Sequence, residues 1–449
     1  MATYSPAGTV SVRPYVTVDE AAQQRTDGWS RLQILVVAIC FILNMLDGMD
    51  VLILSYIAPA LSKDWQVTPD RLGVVFSASL AGMAAGGLLI APLADKFGRR
   101  RLILAAMLTM TVAMFGSAIA GSITELIVSR FVVGVGIGTV LASMAALTAE
   151  YAPAKHRTFA VGFLQAGYPI GATLTGFIVA GQLATHGWQA MLLGAAALCL
   201  CSLPLVIFFL PESLDFLLAR QPKGALEQAN AILARIGGAP LDALPERKTA
   251  AKGSAGLRGV VGEGRMLGTS LLWAATIFGF MTLYFVISWI PKLAIEAGLP
   301  ETQAIYAGAI YNVGAFLGIT SIGLVGSKLD LGRSIFGYLL CSAGALVVFG
   351  AYSMPLAETL LVAFLIGVFV QGGFNGVYPL AAQFYPAQVR STGLGWAMGI
   401  GRIGAVIGPM LGGYMLAEKV PLATIFAVFA VPAIASGICC ALVTATKRD

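Results

Sequence analysis

Twelve stretches of roughly 20 or more apolar residues, parted by short polar connections, constrain this chain more than any other feature. They run near 31–60, 72–94, 101–121, 124–147, 159–183, 188–210, 267–291, 303–327, 334–353, 357–381, 392–417 and 421–444. Each is long enough to cross a bilayer as a helix. Over 449 residues, 58% are hydrophobic and 11% charged, against about 25% charged in soluble domains, and the mean hydropathy is +0.84. One soluble core cannot pack such a composition. The expected fold class is all-α and polytopic, with twelve transmembrane helices.

The connections carry a charge signature. With the N-terminus placed inside, 22 of the 28 Lys and Arg residues fall on that side; only Lys63, Arg71, Lys292 and Lys419 fall on the other. Arg130 and Arg402 lie within apolar segments. This asymmetry puts both termini in the cytoplasm and makes the chain a multi-pass protein of the inner membrane. The first thirty residues hold no apolar signal core, so nothing is expected to be cleaved. The net charge of +6 is then topological and argues against a nucleic-acid surface. Six cysteines lie in apolar segments without metal-ligand spacing to histidine and read as packing residues, so no metal is expected.

An internal repeat divides the chain. EYAPAKHRT, starting at Glu150, aligns at an offset of 233 with QFYPAQVRS, placing Pro153 on Pro386 and Arg157 on Arg390. Gly134, Gly162 and Gly171 fall on Gly367, Gly395 and Gly404, and at an offset of 232 Pro59 meets Pro291. Transporter folds often duplicate a helix bundle in this way. The expected organisation is a cytoplasmic tail (1–30), a six-helix bundle (31–210), a cytoplasmic linker (211–266) and a second six-helix bundle (267–445). The linker is expected to be partly ordered, with one short amphipathic stretch at ALEQANAILARI.

Charges inside the apolar segments are the candidate functional groups. Asp47 and Asp50 stand in LNMLDGMDVLILSYIAP, near the middle of the first segment. A charge at the bilayer centre costs roughly 3 kcal/mol on insertion scales, so such groups usually face a water-filled path or a partner. Three residues apart on a helix, the two share a face as proton-titratable groups, and Gly48 permits close approach. Arg402 lies roughly 15 Å of helix into segment eleven, among Gly399, Gly401 and Gly404. Its guanidinium can grip a carboxylate through two parallel hydrogen bonds and stays charged at depth. The alternative is a permanent structural pair with Asp47 or Asp50. Arg130, near the outer end of segment four, either faces inward or snorkels to the interface.

Between segments two and three stands APLADKFGRRR, which resembles the Gly-x-x-x-Asp-Arg/Lys-x-Gly-Arg-Arg/Lys loop of the major facilitator superfamily, with Asp95, Gly98, Arg99 and Arg100 in place and Ala91 at the first glycine. RFVVGVGIG opening segment four, Glu150 closing it and PES after segment six extend the resemblance over the whole chain. Rocking of one half-bundle against the other needs contacts that form in one state and break in the next. Asp95, Gly98, Arg99, Glu150, Arg157 and Arg390 at the cytoplasmic helix ends are the gating candidates, and plain positive-inside anchoring is the alternative for Arg100 and Arg101.

Within that superfamily, DGMD in the first segment resembles the paired-aspartate Asp-Gly-x-Asp of the aromatic acid and proton symporter family. The resemblance implies uptake of an aromatic carboxylate such as a benzoate- or lignin-derived acid. Asp47 and Asp50 then take a proton from outside, Arg402 binds the carboxylate, and Arg130 joins the substrate and proton path. A ring needs a surface, offered by Phe278, Phe280, Tyr284, Phe285 and Trp289, by Phe374 and by Trp396. Tyr311 with Asn312, and Asn375 with Tyr378, place phenol and amide groups where they suit ring hydroxyls, as do Gln165 and Tyr168; packing between helices is the alternative for each.

Other functions have weaker signatures. A proton-coupled antiporter exporting drugs or metabolites shares the fold, but LQAGYPIGATLTG lacks the fuller glycine and proline pattern of antiporters. A sugar symporter lacks support because TIFGFMTLYFVISW has no glutamine. An enzyme would need a nucleophile with a base, a phosphate loop or a metal cluster, and none is visible; a sensor would need a signalling tail. The expectation is a monomeric symporter that takes a small aromatic carboxylate and protons as partners within the lipid bilayer, with no cofactor beyond the proton gradient.

Overall fold

The computed structural model describes residues 28–245, 260–262, 264–352, 354–386 and 389–446. Most of the expected tail, linker residues 246–259 and the last three residues lie outside the described residues. In the first half, α1 is Arg31–Trp65, α2 Pro69–Phe97, α3 Arg99–Ala118 and α4 Ile123–Tyr151. A helical run Arg157–Phe209 follows, in which the backbone at Gly187 turns to φ 76° and ψ 170°. That positive φ suits glycine, so the run ends one helix there, α5, and begins another, α6. In the second half, α7 is Met266–Glu296, α8 Glu301–Lys328 and α9 Leu331–Ala351; α10 is Leu356–Phe384, α11 Arg390–Ala417 and α12 Leu422–Thr446. With that run divided at Gly187, the described residues form twelve membrane-length helices and no strand.

Helix starts follow local chemistry. Ser30 and Gln33 form a reciprocal cap on α1: the Ser30 hydroxyl accepts from the Gln33 N–H (3.2 Å) and the Gln33 side chain from the Ser30 N–H (2.8 Å). Asp330 caps α9 by accepting from the Arg333 N–H at 2.9 Å.

Both halves pack alike. In the first, α1 lies along α5, α2 along α4 and α3 against α6; in the second, α7 lies along α11, α8 along α10 and α9 against α12. Small residues make the close approaches possible, because without a hydrophobic force between helices in lipid, tight backbone packing must supply the attraction. Gly86 of α2 faces the Val135 carbonyl, and its counterpart Gly318 faces that of Val368; Gly134 faces the Ser79 carbonyl and Gly367 that of Tyr311. A Cβ at any of these would collide with the facing backbone. The sequence repeat is thus a repeat of contacts. On the outside, Val112, Ile119, Phe208 and Val431 are each more than half exposed, as lipid-facing residues would be.

Between the halves, α2 packs on α11 and α5 on α8. Hydrogen bonds joining the halves gather away from the linker. There the Ser55 hydroxyl donates to the Ile287 and Ser288 carbonyls (both 2.9 Å), the Ser77 hydroxyl to the Val406 carbonyl (2.7 Å) and Lys292 Nζ to Ser62 Oγ (3.1 Å). Phe76 meets Trp289 edge to face at 5.2 Å. The far end is sealed by these contacts. At the linker end a cleft of about 840 Å³ opens between α2 and α11, lined by Leu88, Pro92, Trp396 and Ile400. Beside it α2 widens into a π-turn at Gly86–Ile90 and then tightens at Ala91–Leu93.

The linker is more folded than its composition suggests. The amphipathic stretch forms the helix Ala225–Ile236, but Leu214–Arg220 is helical too. Leu214, Leu217, Ile232 and Leu233 are buried in one cluster with Leu32, Val36, Ile103 and Leu147 of the first half. Seven residues are too few for a hydrophobic period to stand out, and their apolar side chains are accounted for only by the surface they cover.

Candidate functional site

A cavity lies between the halves near the middle of the helices. Asn44, Asp47, Gln165 and Tyr168 line it from the first half; Phe280, Tyr284, Gln371, Phe374, Asn375, Tyr378 and Arg402 line it from the second. Its free space is about 100 Å³. Asn44, Asp47 and Val51 reach it as one stripe of α1, spaced by three and four residues. Gly48 beside them sits against the Tyr168 carbonyl, where any side chain would strike α5.

The two aspartates of DGMD have different surroundings. Asp50 is 0% exposed and turns towards α4, where Arg130, 1% exposed, grips it with both ends of the guanidinium. Nη1 donates to Oδ1 at 2.8 Å, Nη2 to Oδ2 at 2.6 Å, and Nη2 also to the Asp50 carbonyl at 3.2 Å. Asp47 is 2% exposed and lines the cavity, yet neither carboxylate oxygen has a hydrogen-bond partner among the described residues. One aspartate is therefore committed within the first half and the other is unengaged.

Arg402 faces this acid-bearing wall from α11. Its guanidinium carbon lies 5.1 Å from the centre of the Phe280 ring and 6.0 Å from that of Tyr284, and Nη1 donates to the Tyr284 hydroxyl at 3.1 Å. Cation–π contact and one neutral hydrogen bond hold the group in place without neutralising it. Among the described residues no carboxylate forms an ion pair with it. Gly404, pressed on the Ile277 carbonyl, lets α11 approach α7 closely enough for this arrangement. Phe374 packs 4.4 Å from Phe280 and 6.0 Å edge-on from Tyr378, which gives the second-half wall an aromatic face. The Asn375 amide donates to the Gln371 carbonyl (2.9 Å) and side chain (3.1 Å). Among the described residues, Asp47 and Arg402 are the only charged groups that line the cavity.

The structure brings Asp47, Arg402, Asn375 and Tyr378 together, and it sets other candidates apart. Arg130 neither snorkels nor lines the cavity; it is buried behind it on Asp50. Tyr311 and Asn312 are buried within the helix packing: the Asn312 amide donates to the Gly308 carbonyl (2.9 Å) and lies 3.4 Å from the Tyr56 hydroxyl. Among the aromatic candidates, Phe285 stacks on Phe429, Trp289 belongs to the far seal, and Trp396 is 42% exposed beside the open cleft. Two polar lining residues, Asn44 and Gln371, escaped the sequence reading. Asn44 sits three residues before Asp47, so helical spacing alone puts it on the same face. Gln371 sits four residues before Asn375 and shares its face in the same way.

At the linker end, Arg99 pairs with Glu150, whose Oε1 also accepts from the Ser213 hydroxyl at 2.9 Å. Gly98 turns the chain from α2 to α3 at φ 100°, with the Glu212 carboxylate pressed where a side chain would stand. Glu212 Oε1 accepts from the Arg100 and Ser213 N–H groups, both at 2.9 Å. Asp95 is exposed, and its carbonyl accepts from Arg220 Nε at 2.9 Å. Arg157 and Arg390 are exposed, and Arg390 Nε donates to the Tyr385 carbonyl at 3.4 Å. These contacts stay within one half or join it to the linker.

Comparisons with known proteins agree with this architecture. The structure superposes on the partially occluded inward open conformation of the xylose transporter XylE from E. coli with a TM-score of 0.69, at 18% identity, covering 91% of this chain and 97% of that one. The 4-hydroxybenzoate transporter PcaK of Acinetobacter baylyi is 34% identical over 91% of this chain and 90% of its own length. The gallate transporter of Pseudomonas putida is 31% identical over 90% of each. Residues 40–368 match the Major Facilitator Superfamily. With its helical fold, its paired half-bundles and these relatives, the chain belongs to the Major Facilitator Superfamily, a family of transporters rather than enzymes.

Proposed function

We propose that this protein imports a single-ring aromatic carboxylate together with one proton across the inner membrane. The observation that carries this reading is the charge composition of the cavity, where among the described residues one unpaired acid stands on the first half and one unpaired base on the second. In the empty carrier, the Asp47 carboxylate balances Arg402. Binding a carboxylate to Arg402 leaves one negative charge in excess, which protonation of Asp47 removes. The Asp50–Arg130 pair is neutral throughout and does not change the balance. A net charge at bilayer depth costs roughly 3 kcal/mol, which lowers the population of a form by about two orders of magnitude. Empty and fully loaded carriers therefore reorient, and half-loaded ones do not. One proton travels with each carboxylate, and the proton gradient is the driving force.

Ligand size supports the same reading. About 100 Å³ of free space is below the roughly 300–1,000 Å³ of pockets for drug-sized ligands, and Phe280, Phe374 and Tyr378 present faces and edges for one ring. The relatives named for 4-hydroxybenzoate and gallate agree in chemical class. The Lys and Arg bias assigns the linker end and both termini to the cytoplasm, so the sealed end faces outward and the α2–α11 cleft leads inward. The Arg99–Glu150–Ser213 cluster and exposed Asp95 lie where the inner gate must close, and a monomer contains the complete site.

The test is uptake of labelled aromatic and aliphatic acids into proteoliposomes, with an inward proton gradient and then with a protonophore. Accumulation of an aromatic acid that collapses on uncoupling is expected. Extrusion of unrelated cations under the gradient, with no acid accumulated, would replace this reading with an antiporter.

A further inference from the structure

We propose that Asn44 selects a hydroxyl group on the ring, so that the acids carried are phenols rather than bare aromatic carboxylates. The inference rests on the reading above, in which Arg402 holds the carboxylate, and it assigns a second point of recognition on the opposite wall.

Asn44 is 1% exposed and lines the cavity. Its Nδ2 donates to the Leu164 carbonyl of α5 at 2.6 Å. Because that partner is a carbonyl, which can only accept, the amide nitrogen must face it and the oxygen must point away. Oδ1 is buried and has no hydrogen-bond partner among the described residues. It is a fixed acceptor in need of a donor. Tyr168, four residues after Leu164, also lines the cavity, and its hydroxyl is likewise buried without a partner. Together they offer an anchored acceptor and a rotatable hydroxyl on the first-half wall.

A phenolic hydroxyl answers both, donating to Asn44 Oδ1 and accepting from Tyr168. A carboxylate, an ether or a pyridine nitrogen has no hydrogen to give and leaves Asn44 unanswered. Water can satisfy Oδ1 while the cavity is empty, but a ring that displaces the water without replacing its hydrogen bond loses affinity. Asp47 is less selective: once it carries the proton it has a hydrogen to donate itself. With the cation on the second half and this pair on the first, a hydroxyl away from the carboxylate spans the site.

The experiment measures inhibition of labelled 4-hydroxybenzoate uptake by benzoate, 4-methoxybenzoate and unlabelled 4-hydroxybenzoate, using the full chain in proteoliposomes. In the wild type, 4-hydroxybenzoate is expected to bind about tenfold or more tighter than the two analogues that lack a donor. Asn44→Ala is expected to bring the three ligands within a few-fold of one another, chiefly by weakening 4-hydroxybenzoate. Tyr168→Phe removes one oxygen and keeps the ring, so it decides the matter if the alanine variant fails to fold; it is expected to narrow the preference in the same direction. Equal affinity for all three ligands in the wild type, or an undiminished preference in a variant that still transports benzoate, would overturn the assignment of Asn44 and leave aromatic-acid transport standing. Transport of no aromatic acid at all would overturn both.

Discussion

Replacing Arg130 by methionine separates the roles of the two aspartates. In the native protein the Asp50 carboxylate is wholly buried and receives a guanidinium hydrogen bond on each oxygen, at 2.8 and 2.6 Å, while a further bond reaches its carbonyl at 3.2 Å. Methionine fills much of the arginine's volume and supplies none of these donors. Removing one partner of a buried ion pair costs about 3–5 kcal/mol, because the remaining charge has neither water nor counterion. Replacing both partners by apolar residues of similar volume, by contrast, is often close to neutral. Arg130→Met is therefore expected to lower the midpoint of thermal unfolding in detergent by on the order of 10 °C, and Asp50→Leu combined with Arg130→Met to recover most of that loss. Fluorescence-detected size exclusion after heating reads both. A single variant as stable as the wild type, or a double variant no better than the single, would refute the argument that Asp50 is held by this one partner.

Arg402→Lys preserves a positive charge but loses the planar two-pronged grip and the stacking on Phe280 and Tyr284. The half-saturation concentration for the acid should rise at least about tenfold in uptake assays, a loss of at least about 1.4 kcal/mol, whereas binding of a neutral ester analogue should change little. Equal wild-type affinity for acid and ester would remove Arg402 from carboxylate recognition. Gly48→Val places a branched side chain against the Tyr168 carbonyl and is expected to abolish folded, monodisperse protein on size exclusion; a variant of normal yield and stability would show that α1 and α5 are not so closely packed.

Much of the fold is legible in the sequence because lipid imposes a simple rule, that a spanning segment must be a long apolar helix. The twelve runs survive nearly unchanged as helices, and glycines at offsets of 232 and 233 mark equivalent close contacts in the two halves. Charges at depth were conspicuous for the same reason, which made Asp47, Asp50, Arg130 and Arg402 visible at once. Their partners were not, because pairing depends on how helices are rotated about their axes. Asp50 and Arg130 are 80 residues apart and meet only once α1 and α4 are packed. Asn44 is an ordinary asparagine in the sequence and becomes an oriented acceptor only when α5 brings the Leu164 carbonyl within 2.6 Å. The helix Leu214–Arg220 similarly follows from the apolar surface it covers rather than from a local pattern.

The claim that one proton accompanies each carboxylate through Asp47 is tested most directly by separating the two parts of the proton-motive force in proteoliposomes. With an imposed pH gradient and no membrane potential, the wild type is expected to accumulate its acid to at most about tenfold per pH unit. With an interior-negative potential and no pH gradient it should accumulate none, because the transported pair is neutral. Asp47→Asn should still exchange internal for external acid, lose accumulation driven by pH, and acquire sensitivity to potential, since its empty form carries the uncompensated Arg402 charge. Accumulation driven by potential alone in the wild type, or undiminished pH-driven accumulation in Asp47→Asn, would contradict the account.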